Sequence, residues 1–303
     1  MNSAPSLALL IPCYNAARYL PRLAESVRAQ TRPFAEILCY DDGSTDDTVR
    51  LARELGWTIL TPNANAGPAA ARNRLLAAAH APWVHFHDAD DLLQPQFVER
   101  MTAAIVSQPT ADVFVSHMDW LTESTRTLEV AWRYDGAALA RDPLSATITD
   151  PIGVIACVYR REILGRIGGF NERFRTWEDG DLHVRLAAAG ARFHVIPEVL
   201  AIGLRHGTGA SADGAAVIAD RLRLLEAYAH DYPHCAAVAE QAEKLAVWLI
   251  EENRPGADRM LALCRAAGRR VPTTRHPVWR VARALLPIPA VVKLRRWARR
   301  LPR

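Results

Sequence analysis

Long apolar runs are missing from this chain. Nowhere in its 303 residues is there an uncharged apolar stretch of about 18, the length that crosses a bilayer as a helix. The opening MNSAPSLALLIPCYN has no basic n-region and only a short apolar run. The expectation is a cytosolic chain that spans no membrane. Cysteine is sparse. Cys13, Cys39, Cys157, Cys235 and Cys264 are odd in number, scattered and never spaced C-x-x-C, which argues against a disulfide framework or a zinc knuckle and for reduced, buried thiols. Glycine-rich phosphate loops are absent too. Without G-x-G-x-x-G or G-x-x-x-x-G-K-[ST] there is no sign of a dinucleotide fingerprint or a P-loop, so a phosphate would have to be neutralised by a metal. Internal repeats and low-complexity segments are missing as well. Acid is absent from the end of the chain: residues 265 to 303 hold 12 Lys/Arg and no Asp/Glu, leaving 25 basic against 33 acidic residues before them. Tail and body thus carry opposite signs.

What is present is ordinary for one large or two smaller globular domains, with 50% hydrophobic and 23% charged residues. Short apolar runs at 7–12, 35–40, 57–60 and 83–87 are bounded by turn residues and read as buried parallel strands. Between them, 17–30, 45–56 and 68–80 carry helical spacing. The βαβαβαβ order predicts an α/β fold, a Rossmann-like, mostly parallel sheet with helices on both faces and ligands beyond the carboxyl ends of the strands. Segments 112–117 and 153–160 read as strands, 181–190 as a helix leading to strand 192–196, and the chain turns helical from about Ala215.

The polar motifs fall at the predicted strand ends: PCYN after the first, DDGSTDDT after the second, NANAGPAAARN after the third and DADD after the fourth. The last places Asp88, Asp90 and Asp91 within four positions. Like charges so close imply either a solvated acidic loop or a cation between them. D-x-D supplies hard oxygen ligands suited to Mg²⁺ or Mn²⁺ with positions left for phosphate oxygens. Alone it is a weak motif.

In combination, IPCYNAARYL, SVRAQT, EILCYDDGSTDDT, NAGPAAARN, VHFHDADD, YRREILGRIGGF and WEDGDLHVRLAAAG resemble, in order and approximate spacing, the inverting family 2 glycosyltransferases of GT-A fold, over residues 5 to 210. The resemblance implies a nucleotide site at Pro12, Tyr14, Asn15, Asp42, Gly67, Arg72 and Asp88, with Asp42 accepting the imide N–H of uracil or thymine. It implies Mn²⁺ or Mg²⁺ on Asp90 and Asp88, with His206 completing the shell, and Asp179 as the general base. Gly169 and Phe170 of the G-G-F turn, together with Trp177 and Glu178, would face donor sugar or acceptor. Asp41 reads as a turn residue, Asp91 as the cap of a helix starting near Leu92, and Asp181 as a cap of the helix that follows it. His85 and His87 read as core residues.

The implied organisation is a catalytic domain over 1–212, with a nucleotide half (1–110) and an acceptor half (111–212), and a helical region over 213–303. Residues 118–152 match nothing legible but lie where the family varies its acceptor loop. In the tail, AVVKLRRWARRL (290–301) places Val291, Leu294, Trp297, Ala298 and Leu301 on one side. This suits an anionic membrane surface on the inner face of the cytoplasmic membrane, or equally a helix packed on the body; no nucleic-acid module is recognisable. The expected activity is metal-dependent inverting transfer from a UDP- or dTDP-sugar to a glycan or lipid-linked glycan, in cell-surface polysaccharide synthesis. The rival readings are a sugar nucleotidyltransferase and a catalytically silent nucleotide-sugar binder.

Overall fold

The computed structural model describes residues 5–61, 65–207, 213–252 and 254–269, and the amphipathic tail at 290–301 lies outside them. The chain divides into two compact units, 1–217 and 218–303.

The first unit opens as its sequence pattern predicts. Strands β1 (Leu7–Cys13), β2 (Glu36–Asp41), β3 (Thr58–Leu60) and β4 (Trp83–Phe86) lie parallel in the order β3-β2-β1-β4. Helices α1 (Leu20–Arg28), α2 (Thr48–Glu54) and α3 (Pro68–Ala78) connect them. Helix α3 starts sharply because Gly67 takes φ 89 and Pro68 follows in the first turn, where its missing N–H costs nothing. β1 is buried on both faces. Leu7, Leu9, Ile11 and Cys13 join one core with Leu20, Leu23, Phe97 and Met101, while Ala8 and Leu10 join another with Leu75, Leu164, Leu182 and Leu186. The two-residue period of a strand thus feeds two helical layers.

Beyond β4 the sheet becomes mixed. After β5 (Leu92–Leu93) and α4 (Phe97–Ser107) come β6 (Val113–Thr122), β7 (Leu128–Trp132), α5 (Gly136–Arg141) and α6 (Pro143–Thr149). The stretch 153–160, expected as one strand, is a 3-10 turn at Val154–Ala156 followed by β8 (Cys157–Arg160). Then follow α7 (Arg161–Arg166), α8 (Glu178–Ala188) and β9 (Phe193–Arg205). β8 runs antiparallel to both β4 and β6, β9 parallel to β6, and β5 antiparallel to β9. β4 and β8 share only two paired positions, Trp83 with Arg160 and Val84 with Tyr159. The segment 118–152, illegible in sequence, is the end of β6, the β6–β7 hairpin and two short helices capped by Asp135 and Asp142.

In the second unit lie most of α9 (Gly214–Asp231), α10 (Ala236–Glu251) and α11 (Ala257–Ala266). Leu222, Leu225, Ala242, Ala246, Leu249, Met260 and Cys264 are buried there. Among the described residues no helix is long and apolar enough to cross a membrane. Cys13, Cys39, Cys157 and Cys264 are buried free thiols; Cys235 departs from expectation in being half-buried, at the edge of α10.

Candidate active site

β4 delivers Asp88 and Asp90 into a tight turn closed by the Asp91 N–H donating to Asp88 O at 3.1 Å. Asp91 does not cap a helix. Residues 92–93 form β5, α4 starts only at Phe97, and the buried Asp91 carboxylate accepts the Leu204 N–H at 2.8 Å, fastening the turn to β9. Burial, then the charges of Asp90 and Asp88, push the Asp91 carboxyl well above its ordinary value. Asp90 is raised as well, by burial and by Asp88, although His206 Nε2 donates to its Oδ2 at 2.7 Å. His206 also lies against the Tyr19 ring, 5.3 Å between centroids. His85 and His87 are fully buried core residues, as expected: His85 Nδ1 bonds Cys157 O at 2.7 Å, and burial lowers His87 to about 4.

Arg72, on α3, links this turn to the other acidic motif. Its Nη2 donates to Asp88 Oδ1 at 2.5 Å and its Nη1 to Glu178 Oε1 at 2.6 Å, with the guanidinium 5.5 Å from the Phe170 ring centroid. Burial alone would lower the guanidinium's pKa; Asp88 and Glu178 outweigh it and hold it above its usual value. Glu178 is pushed up to about 7 by burial, against the pull of Arg72.

Helix α8 begins three residues earlier than its apolar spacing implied. Trp177 adopts φ 66 at its N-cap and donates from Nε1 to Val217 O at 3.1 Å. Glu178 and Asp179 therefore occupy the first turn, where helical N–H groups favour negative charge. Asp181 lies inside the helix and pairs with Arg185 at 2.6 Å instead of capping it. Asp179 is half-buried. Burial raises its carboxyl, opposed by Arg72 and the Gly180 N–H, and the charge of Asp88 raises it further.

Past the end of β2, Asp42 is buried and accepts the Ala66 and Gly67 N–H groups at 2.8 and 2.7 Å, one on each oxygen. Asp41 takes the Ser44 N–H at 3.3 Å as a turn residue. Asn15, at φ 48, receives the Thr45 N–H on its Oδ1 and gives its own backbone N–H to Ser44 Oγ, tying the ends of β1 and β2 together. Beside it Pro12 is half-buried and the Tyr14 ring exposed.

The G-G-F turn is held from α3. Asn73 Oδ1 accepts the Phe170 N–H at 2.8 Å and its Nδ2 donates to Phe170 O at 3.0 Å. Gly168 and Gly169 both have positive φ, and a Cβ on Gly169 would stand 2.4 Å from Asn73 Oδ1. Phe170 packs edge-on against Phe86, 4.9 Å between centroids.

For a divalent cation, Asp88, Asp90 and His206 offer carboxylate oxygens and an imidazole, a donor chemistry that fits Mn²⁺ and, through its oxygens, Mg²⁺. Burial first and the neighbouring Asp88 second disfavour the charged Asp90 carboxylate, and a cation bound to it would favour the charged form. Among the described residues no three such side chains converge as a ready ligand cluster, and His206 is engaged with Asp90.

The model of glycosyl transferase family 2 matches residues 8–168, more than half of the chain. The chain belongs to that family. It is a glycosyltransferase. An uncharacterized glycosyltransferase of Nostoc sp. is 30% identical over 71% of this chain and 69% of its own length. The succinoglycan biosynthesis protein ExoU of Rhizobium meliloti is 29% identical over 64% of this chain and 60% of its own length. Among solved structures, S. aureus TarS 1–349 with UDP-GlcNAc (TM-score 0.63, 20% identity, 95% of this chain and 81% of that one) shares the GT-A fold. So does the Pyrobaculum calidifontis mannosyltransferase PcManGT with GDP-Man and Mn²⁺ (TM-score 0.63, 20% identity, 98% and 80%).

Sequence reasoning missed three side chains around the acidic turn: Tyr19 just before α1, Arg22 of α1, and Glu123 just after β6. Arg22 Nη2 reaches Asp90 O at 2.8 Å and its Nη1 reaches Glu123 Oε1 at 3.1 Å. These partners lie 68 and 101 positions away, and a lone Arg or Glu on an exposed-looking segment carries no local signal of such contacts.

Proposed function

We propose that the protein transfers a sugar, with inversion, from a UDP- or dTDP-sugar to a hydroxyl of a glycan or lipid-linked glycan, with residues 1–212 as the catalytic domain. The observation that carries this is the buried Arg72 bridge, which brings the D-x-D turn and the Glu178–Asp179 pair into one site. Asp179 takes the acceptor hydroxyl proton as the acceptor oxygen bonds to the anomeric carbon. The bond from that carbon to the diphosphate breaks on the opposite face, and its electron pair leaves with the nucleoside diphosphate. Asp88, Asp90 and His206 would hold Mn²⁺ or Mg²⁺, which when bound offsets charge on the departing diphosphate. Asp42 supports a uracil or thymine reading: each of its oxygens keeps acceptor capacity beyond its one backbone N–H, so an imide donor can still be met. Tyr14, exposed at the end of β1, offers a ring face beside it. Gly169, Phe170, Trp177 and Glu178 would line the sugar and acceptor side. A glycan or lipid-linked acceptor accords with the names of relatives in succinoglycan and in PGL/p-HBAD biosynthesis.

The test is to incubate the protein with a panel of nucleotide-sugars, Mn²⁺ or Mg²⁺ and candidate acceptors, and to follow nucleoside diphosphate release and the anomeric configuration of the product. Acceptor-dependent release with inversion supports the proposal. Pyrophosphate formed from a nucleoside triphosphate, or binding without release, would overturn it.

A further inference from the structure

Asp90 is held at two points by one closed circuit of contacts. Its carboxylate accepts from His206. Its main-chain oxygen accepts from Arg22, which pairs with Glu123, and the Glu123 N–H donates to Arg205 O at 3.0 Å. Arg205 immediately precedes His206, so the circuit runs from Asp90 through α1, the end of β6 and the end of β9 back to Asp90. The Arg22 and Glu123 side chains are each about 25% exposed. This sheltering leaves the pair less screened than a fully exposed ion pair. A second arginine, Arg18, approaches the other oxygen of Glu123 only at 3.5 Å and is largely exposed, so Arg22 is the principal partner.

We infer that Arg22, fixed by Glu123, is a positioning residue of the acidic turn: by holding the Asp90 carbonyl it sets the direction of the Asp88 and Asp90 side chains for the cation and diphosphate. The inference rests on the proposed transfer reading for its functional consequence, though not for the tether itself. The physical reasons are two. A guanidinium can donate to two acceptors at once in a fixed fork, here a carbonyl and a carboxylate, which a lysine ammonium does with less direction. Its other nitrogen is anchored as well: Glu123 takes Nη1 at 3.1 Å, which restrains the guanidinium whose Nη2 reaches the Asp90 carbonyl at 2.8 Å. Because Glu123 starts the turn between β6 and β7, the same contact ties the donor-side turn to the hairpin of the acceptor half.

The experiment compares wild type with Arg22→Met, which keeps the aliphatic stem, Arg22→Lys and Glu123→Gln. Free Mn²⁺ is titrated against each protein by electron paramagnetic resonance, donor KM and kcat are measured separately, and amide hydrogen exchange is read on peptides covering 87–93 and 203–206. Residues that orient metal ligands typically govern 10–100-fold of affinity. Arg22→Met should therefore weaken Mn²⁺ binding roughly ten-fold and raise donor KM by a similar factor, with kcat changed much less. Exchange should quicken at 87–93 and 203–206 while β1 and β2 stay protected. Glu123→Gln should move every readout the same way by a smaller factor, and Arg22→Lys should fall between. Unchanged exchange at both peptides in Arg22→Met, or exchange raised equally across β1 and β2, overturns the inference, as does a Glu123→Gln protein identical to wild type. Wild type that neither binds Mn²⁺ nor releases diphosphate would sink the transfer reading instead, and the exchange measurement would still decide the tether.

Discussion

Arg72 and Glu178, 106 positions apart in the chain, meet at 2.6 Å inside the protein, and the same guanidinium holds Asp88 at 2.5 Å. Removing one partner of a buried ion pair leaves an uncompensated charge, at a cost of about 3–5 kcal/mol. Arg72→Met should lower unfolding stability by about that amount in urea titrations. Combined with Glu178→Gln it should cost less than the two single changes added, since the second removes the stranded charge. Strict additivity would show that the two side chains do not interact.

Asp179→Asn should lower kcat by roughly 10²–10⁴-fold, the usual contribution of a positioned general base, while nucleotide-sugar binding stays near wild type. Burial raises the Asp179 carboxyl, so the base becomes protonated at a higher pH than an exposed aspartate would. Turnover should therefore fall on the acid side with a midpoint higher than that of an exposed aspartate. A pH–rate profile flat down to pH 4 would count against this role.

At Gly169 the G-G-F turn has room only for glycine. Gly169→Ala puts a methyl 2.4 Å from Asn73 Oδ1 at φ 70, so the turn or Asn73 must move. A loss of about 1–3 kcal/mol in stability is expected, with a raised acceptor KM. Asn73→Ala, which frees the Phe170 N–H and C=O, should show the same kinetic signature without the backbone strain.

His183 is fully buried, its Nε2 hydrogen-bonded to the Tyr159 hydroxyl at 2.8 Å, and burial depresses it to about 4. A histidine lowered in the folded state contributes stability that is fully present above the unfolded value near 6.5 and is lost as pH falls toward the folded one. At pH 5.5 the loss is about 1.4 kcal/mol. The destabilisation caused by His183→Gln should therefore be smaller at pH 5.5 than at pH 7.5 by about that amount. A difference independent of pH would mean that His183 is not held neutral.

The run from β1 to β4 was legible because its signals are local. Each buried strand is a short apolar run, each helix has its own period, Asp42 and Asp88 lie within two residues of a strand end, and Gly67 opens α3. The run from β6 to β9 was harder. Residues 118–152 form the end of β6, a hairpin and two short helices, and the β6 part is placed by pairing with the distant β9, Met118 opposite Ala201, while 153–160 read as one strand although its first half is a 3-10 turn. Asp91 and Asp181 were both read as helix caps because capping is the local use of an aspartate. One instead bonds an N–H 113 positions away, and the other pairs along its own helix. The Arg22–Glu123 pair had no sequence signal at all, since only the folded chain brings α1 to the end of β6.

The two-residue junction between β4 and β8 has one more effect. Past Val84 the strands part, and the His85 imidazole reaches across to the Cys157 carbonyl in place of a backbone rung. The sheet is thus forked at this point, β4 keeping its ladder to β1 and β8 its ladder to β6. Strand rungs on one prong can be rearranged without breaking those on the other, while side-chain ties such as Arg72 to Glu178 and Asp91 to Leu204 keep the two prongs together.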